Sequence, residues 1–195
     1  MGVTFDNKEQ RFVFDFEHDG RDDIVSLTDD GYQVEAFGRC FYYGYEFSDQ
    51  VDGSVRSAFI KHVKFTEDLQ NNTDLTLFIK KAIDNLNRRI NLYDYNLVVM
   101  PESSSRVNQY MLRYIYRFAQ PMLRKMELVK SLSTIEQDKE LCATIRKQNI
   151  LVMDDVTTSG STLNEVLRSL RILNEDNEVT IFSLIGRKDL MAETM

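Results

Sequence analysis

The segment ILVMDDVTTSGSTL, at positions 150–163, constrains the fold of this 195-residue chain more than any other. Its first four residues, Ile150–Met153, are all apolar, and such a short continuous run predicts a buried strand. Apolar residues then recur at helical spacing, which predicts a helix from Thr162 or Leu163 to Leu173. A strand that passes through a short polar loop directly into a helix is typical of α/β sheets.

The same alternation of strands and helices extends through most of the chain. Helical spacing of apolar residues begins at Ser54, is strongest over residues 74–90, and returns after Arg106. Short runs that predict strands occur at Leu97–Met100, Glu127–Lys130, Ile150–Met153 and Val179–Ile185. We therefore expect an α/β fold with a doubly wound, mainly parallel sheet.

The N-terminal residues follow a different pattern. Phe12, Phe14 and Phe16 alternate with other residues, and this period of two predicts β-strands. The sequence alone leaves two roles open for the aromatic residues here, which are packing on the main core and stacking on the base of a ligand. We predict a β-rich appendage or hood over residues 1–53 and an α/β core over residues 54–195.

Polar side chains suited to binding an anion follow the strand Ile150–Met153. Ligands of parallel sheets bind at the carboxyl ends of the strands, and a helix N-terminus offers free N–H groups to a phosphate. The candidate phosphate ligands are Thr157, Thr158, Ser159, Gly160, Ser161 and Thr162. The acids Asp154 and Asp155 beside them would suit vicinal sugar hydroxyls or Mg²⁺. The alternative is an ordinary N-capped helix, since Ser, Thr and Asp are common in such turns for capping alone.

Several other classes of protein are disfavoured. The chain lacks the glycine–lysine loop of P-loop kinases and the G-x-G-x-x-G of dinucleotide folds. With 24 basic and 31 acidic residues the net charge is −7, which makes nucleic acid an unexpected partner. Cys40 and Cys142 form no zinc or disulfide pattern, which fits a cytoplasmic protein. No apolar run is long enough to span a membrane.

The segment 150–163 resembles the phosphoribosyl pyrophosphate (PRPP) motif of type I phosphoribosyltransferases. The resemblance implies that Asp154 and Asp155 face the ribose hydroxyls and Mg²⁺, and that the loop holds the 5-phosphate. It also implies a pyrophosphate-binding loop after the strand Leu97–Met100, with the residues Glu102, Ser103, Ser104, Ser105 and Arg106. Further likenesses place the chain nearest to ComF-type proteins. They lie over 106–109, over 183–187 and in an upstream segment with Val55, Arg56, Lys61, Lys64 and Phe65. The resemblance covers about residues 54–188.

The family reaction would transfer the 5-phosphoribosyl group of PRPP to a nitrogen nucleophile, such as a nucleobase, with release of pyrophosphate. The polar segment 131–148 would be a loop that closes over the site and excludes water. Thr158 stands where the 6-oxopurine enzymes have an aspartate, which disfavours hypoxanthine and guanine as acceptors. The resemblance leaves open a catalytically inactive sensor or regulator, or a nucleic-acid-handling accessory, and it leaves open a homodimer.

Overall fold

The computed structural model describes residues 2–17, 24–36, 39–101, 105–119, 124–128, 149–173 and 178–186. For residues 28–36, 39–40, 118–119, 124–128 and 168–173 it describes the backbone alone. The strands are β1 (Gly2–Asp6), β2 (Arg11–Asp15), β3 (Val25–Ala36), β4 (Arg39–Phe47), β5 (Leu97–Pro101), β6 (Arg124–Leu128), β7 (Asn149–Val156) and β8 (Glu178–Gly186). The α-helices of these residues are α1 (Gly53–Phe65), α2 (Thr73–Arg89), α3 (Arg106–Ala119) and α4 (Ser161–Leu173), and a short 3-10 helix spans Leu92–Asp94.

The eight strands of the described residues form one sheet, in the order β2-β1-β3-β4-β8-β7-β5-β6. The five strands from β4 to β6 in this order are parallel, whereas β1, β2 and β3 pair antiparallel. The prediction of an α/β fold with a mainly parallel sheet is therefore confirmed. The edge of the sheet at which the five parallel strands end is called the carboxyl edge below, because ligands of such sheets bind there.

Helices cover both faces of the sheet, as expected for parallel strands. On one face, Leu151 and Met153 of β7 belong to a core shared with α1, α2 and α3. On the other, Ile150 and Val152 belong to a core shared with α4. Side chains of a strand alternate between faces, so this alternation decides where the polar residues that follow Met153 lie.

Helix α2 closely approaches the strand β4. The helix begins after Asn72, whose side chain accepts a hydrogen bond from the N–H of Leu75 at 2.9 Å. A Cβ atom added to Gly44 of β4 would lie 2.4 Å from the Cβ of Ala82 and 3.1 Å from the carbonyl oxygen of Leu184. Only a glycine on the strand and a small residue on the helix allow this spacing.

The N-terminal strands extend the main sheet. Strand β4 pairs in parallel with β8, with Phe41 opposite Ile181, and β3 pairs with β4. The β-rich character of this segment agrees with the sequence pattern, but its strands share a hydrogen-bonded sheet with the rest of the chain. Its division from the core at residue 53, and its role as a hood, stay predictions.

Phe12 and Phe14 pack against helices. The ring of Phe12 lies 5.1 Å from that of Phe59 in α1, and the ring of Phe14 lies 5.6 Å from that of Phe78 in α2. Both contacts are at near edge-to-face angles that favour aromatic pairs. Of the two roles left open by the sequence, these contacts support packing on the main core for Phe12 and Phe14.

Two element boundaries differ most from those predicted. Strand β6 begins at Arg124, three residues before the predicted Glu127, and residues 129 and 130 lie outside the described part of the chain. Strand β7 continues to Val156, because Asp154 and Val156 stay in register with Ser183 and Ile185 of β8. The acid pair thus lies inside the strand.

The predicted loop 131–148 lies outside the described residues. Within the described part, no helix is long and apolar enough to cross a membrane.

Candidate functional site

A pocket of about 150 Å³ lies at the carboxyl edge, between the ends of β5 and β7 and the start of α4. It is lined by Lys64, Pro101, Asp154, Val156, Thr157, Thr158, Ser159, Gly160, Ser161, Thr162 and Leu163. The structure therefore brings together Asp154 and all six loop residues that the sequence suggested as phosphate ligands. Its volume suits a small polar group such as a phosphate, and most of its exposed lining is polar.

Gly160 gives the loop its shape. It has a φ of 71°, in the left-handed region that other residues adopt only with strain. Its carbonyl oxygen accepts the N–H of Asn164 at 2.8 Å, so Gly160 caps the N-terminus of α4. The next N–H groups along the helix have no intrahelical acceptor, as in the first turn of any helix, and they lie where the helix dipole is positive.

The hydroxyl groups of the loop differ in their surroundings. Thr157 is buried, and its Oγ1 donates to Ser183 Oγ at 2.9 Å, while its N–H donates to the carbonyl of Ile185. Thr157 therefore continues the contact with β8 and holds the start of the loop on the sheet. Thr158, Ser159 and Ser161 are exposed at the pocket, and the hydroxyls of Ser159 and Ser161 are 3.1 Å apart.

The two acids lie in different environments. Asp154 continues the alternation of Ile150 and Val152 and lines the pocket beside α4. Asp155 continues that of Leu151 and Met153, is 0% exposed, and lies under α1. The prediction that both acids bind a ligand stays a prediction, and of the pair it is Asp154 that lines the pocket.

Lys64 joins the acid pair from a distant part of the sequence. It lies in the last turn of α1, and its Nζ is 3.0 Å from Oδ1 of Asp155, with its side chain 30% exposed. The other carboxylate oxygen of Asp155, Oδ2, is buried and has no hydrogen-bond partner among the described residues. Since Lys64 also lines the pocket, one charged side chain connects the enclosed acid with the open site.

The environment of Asp154 shifts its ionisation. Burial, and then the charge of Asp155, raise the pKa of Asp154 to about 7, against the opposing effects of Lys64, the Asp155 N–H and the Asn108 amide. Asn108, in the first turn of α3, is 2% exposed, and neither polar atom of its amide makes a hydrogen bond of regular geometry within the described part. A carboxyl in such surroundings is a candidate for a functional group.

Replacement of Asp154 by asparagine is expected to stabilise the ligand-free protein at pH 8 and to leave its stability at pH 4 nearly unchanged. The pKa of Asp154 is about 7 when folded, against an ordinary value of 3.8, so the folded protein binds this proton more tightly than the unfolded chain. The stabilisation of the folded protein by this bound proton is complete below about pH 3.8 and is lost as the pH rises through about 7. The pKa difference of about 3 units, at about 1.4 kcal/mol for each unit, sets an upper limit of about 4 kcal/mol. Because the ionised protein can relax and admit water around Asp154, we expect a gain of about 2 kcal/mol, or roughly 4–8 °C in Tm.

Thermal unfolding at both pH values measures this gain, with Glu9→Gln in the exposed β1–β2 turn as the matched control. An equal gain at pH 4 and pH 8 would contradict the effect of ionisation.

Lys64 and Asn108 were not among the site residues predicted from the sequence. Lys64 is 90 positions before Asp154 and lies on a helix whose apolar spacing predicts only its buried face. Asn108 falls in the first turn of a helix, where a polar residue is ordinary. The likeness to ComF-type proteins includes both Lys64 and Asn108, but it assigned neither of them a role at the site.

The predicted pyrophosphate loop is described in part. Glu102, Ser103 and Ser104 lie outside the described residues. Ser105 is buried, and Pro101 before the loop lines the pocket. Arg106 is exposed, and its guanidinium donates to the backbone carbonyl of Glu67. Arg106 lines a second pocket of about 350 Å³, with Tyr110 and Arg113 of α3 and the segment 67–70.

No family model matches the sequence, and no protein of curated function matches it. Several solved structures that resemble this chain are phosphoribosyltransferases. A hypoxanthine-guanine-xanthine phosphoribosyltransferase aligns with 16% identity and a TM-score of 0.41, over 58% of this chain and 62% of its own length. The chain thus spans less than two thirds of that protein.

Two bacterial structures align over more of the chain. A phosphoribosyltransferase from Corynebacterium diphtheriae has 14% identity and a TM-score of 0.41, over 69% of this chain and 94% of its own. An orotate phosphoribosyltransferase from Mycobacterium tuberculosis, in complex with inorganic phosphate, has 15% identity and a TM-score of 0.41, over 69% and 87%. Likenesses at 14–16% identity and a TM-score of 0.41 assign no function to the pocket.

Proposed function

We propose that this chain binds PRPP in the pocket at the carboxyl edge and transfers its 5-phosphoribosyl group to a nitrogen nucleophile. One observation carries the proposal, which is that the acid Asp154 and the Gly160-capped N-terminus of α4 line the same small polar pocket. A ligand that joins a phosphate to a group with several hydroxyls could bind the N-terminus of α4 and Asp154 at the same time. A ribose 5-phosphate unit has that combination of groups.

The loop would hold the 5-phosphate. Gly160, with its positive φ, directly precedes the first turn of α4, whose N–H groups are free to bind an anion, and the exposed hydroxyls of Ser159 and Ser161 add donors beside them. Thr157 contributes by holding the start of the loop on β8 through its buried hydroxyl. An anion bound here gains from the helix dipole as well as from hydrogen bonds.

Asp154 would face the ribose. A carboxylate accepts hydrogen bonds from two neighbouring hydroxyls, and its negative charge would stabilise the positive charge that develops on the sugar. In the reaction, the nucleophile's nitrogen forms a bond to C1, the C1–O bond breaks, and pyrophosphate leaves with the electron pair. The nitrogen then loses its proton to solvent or to a base.

The donors present fit Mg²⁺ only together with a ligand. Mg²⁺ in such enzymes is bound by one or two carboxylates and by phosphate oxygens, and Asp154 is placed to supply a carboxylate. Within the described ranges no group of three or more His, Cys, Asp or Glu could hold a metal unaided. When bound with PRPP, Mg²⁺ would supply positive charge to the pyrophosphate oxygens.

Calorimetry with PRPP and Mg²⁺ tests the binding. We expect saturable binding by the wild type, competition by ribose 5-phosphate, and an affinity at least about tenfold weaker in Asp154→Ala, because a charge-assisted contact is lost. The control Glu9→Gln removes an exposed acid far from the pocket and should bind like the wild type. Absence of binding by the wild type would overturn the proposal.

A panel of nucleobases, with pyrophosphate release as the readout, tests the transfer. Release with one base, at least about a hundredfold lower in Asp154→Ala, is the expected result. Binding of PRPP without release for any base would reject the transferase and leave a PRPP-binding regulator. Hypoxanthine and guanine are expected to be poor acceptors, since Thr158 occupies the position of the purine-binding aspartate.

A further inference from the structure

Lys64 is the basic side chain among the described residues that line the pocket. Its ammonium group has three hydrogen-bond donors, and the 3.0 Å contact with Asp155 Oδ1 occupies one of them. The side chain keeps 30% of its surface exposed and lines the pocket, and the contact with Asp155 leaves two donors for other acceptors. The charge of Lys64 therefore acts on the same space as the N-terminus of α4.

Asp155 has no exposed surface of its own. Its side chain is 0% exposed. Its Oδ1 accepts a hydrogen bond from the N–H of Val156 at 2.6 Å and also contacts Lys64. Its Oδ2 has no hydrogen-bond partner among the described residues. A carboxylate buried in this way is costly to desolvate, and an ion pair often fails to repay the cost in stability. The ion pair between Lys64 and Asp155 is better explained by the position that it gives to the ammonium group of Lys64.

We propose that Lys64 is a ligand-binding residue of this pocket that contacts an anionic group of the phosphorylated ligand, and that Asp155 acts through Lys64 by holding its ammonium group at the pocket wall. This inference rests on the proposed function and assigns it a further residue. It also separates the roles of the two neighbouring acids, since Asp154 meets the ligand and Asp155 positions the lysine. The ligand class is a phosphate or pyrophosphate ester.

The placement of α1 supports this division. The helix brings its last turn over the end of β7, where the alternation of the strand puts Asp155 on the α1 face and Asp154 on the α4 face. A lysine that served only to neutralise Asp155 would not need to line the pocket. Lys61, one turn earlier on the same helix, is exposed and does not line it.

The test uses the full-length protein with Lys64→Met, Lys61→Met as the matched control, and Lys64→Met/Asp155→Asn. Calorimetry with PRPP and with inorganic phosphate measures affinity, and thermal unfolding measures stability. We expect Lys64→Met to weaken PRPP binding at least about tenfold, by loss of a charge-assisted hydrogen bond, and to lower Tm, because Asp155 is left buried and unpaired. Lys61→Met should change neither.

The double variant separates the two roles. Neutralising both partners should restore much of the lost Tm, since no buried charge is left unpaired, while PRPP affinity stays at the level of Lys64→Met. Wild-type affinity in the double variant would overturn the ligand contact of Lys64. A further tenfold loss below Lys64→Met would overturn the positioning role, because Asp155 would then contact the ligand itself. Failure of the wild type to bind PRPP would instead overturn the proposed function.

Discussion

Replacement of Gly160 by valine is expected to weaken PRPP binding at least about a hundredfold, because two costs fall on the same residue. The φ of 71° at Gly160 lies in a region that a β-branched side chain hardly adopts. Gly160 also lines a pocket of only about 150 Å³, so added side-chain volume at this position is expected to reduce the space for a ligand. The loop would have to change conformation, and the N–H groups of α4 would no longer be placed to bind the phosphate.

Gly160→Asn distinguishes the two costs. Asparagine tolerates the left-handed region better than other non-glycine residues, so it preserves the backbone while it still adds volume. Equal losses in both variants would assign the effect to volume, and a smaller loss for asparagine to the backbone. Calorimetry with PRPP gives the affinities, and circular dichroism checks the fold. Wild-type affinity in Gly160→Val would remove the loop from the binding site.

Replacement of Gly44 by alanine is expected to destabilise the protein by about 3 kcal/mol, near the upper end of the usual cost of overpacking. The added Cβ would lie 2.4 Å from the Cβ of Ala82 and 3.1 Å from the carbonyl oxygen of Leu184. Neither neighbour is the flexible end of a long side chain, so α2 would have to move away from β4. For a chain of this size we expect a Tm lower by roughly 6–12 °C in thermal unfolding.

Two variants test the cause. Gly44→Ala/Ala82→Gly removes the closest atom, and we expect it to recover part of the lost stability despite the cost of about 1 kcal/mol for a glycine within a helix. Gly53→Ala is the matched control, because a Cβ there would meet nothing within 4 Å, and its Tm should stay within about 2 °C of the wild type. A drop in Gly53→Ala as large as that in Gly44→Ala would contradict the steric explanation.

The sequence predicted the elements around the pocket well, because each is encoded locally. The apolar run Ile150–Met153 and the helical spacing after Thr162 are properties of neighbouring residues, and β7 and α4 follow them. The helical spacing over residues 74–90 was equally clear, and α2 spans Thr73–Arg89. Since loops between such elements are short, the location of the polar loop at the carboxyl edge followed as well.

The roles of individual polar residues were harder to predict, because they depend on which strand lies beside β7. Pairing with β8 extends β7 through the acids to Val156 and turns Thr157 towards Ser183. The sequence could not show that Asp155 would be enclosed, nor that Lys64 of α1 would reach it. Both facts arise from packing between segments that are far apart in the chain.

The pairing of β4 with β8 has a consequence for how the chain folds. Phe41 and Ile181 are opposite each other in the sheet, and closing a loop of about 140 residues costs more chain entropy than any local contact. Such a non-local pairing slows folding, so we expect β7, β8 and α4 to assemble first and the N-terminal strands to dock last. Until then one edge of β8 would stand open to other chains, and during synthesis β4 would wait for a partner strand that is made about 140 residues later.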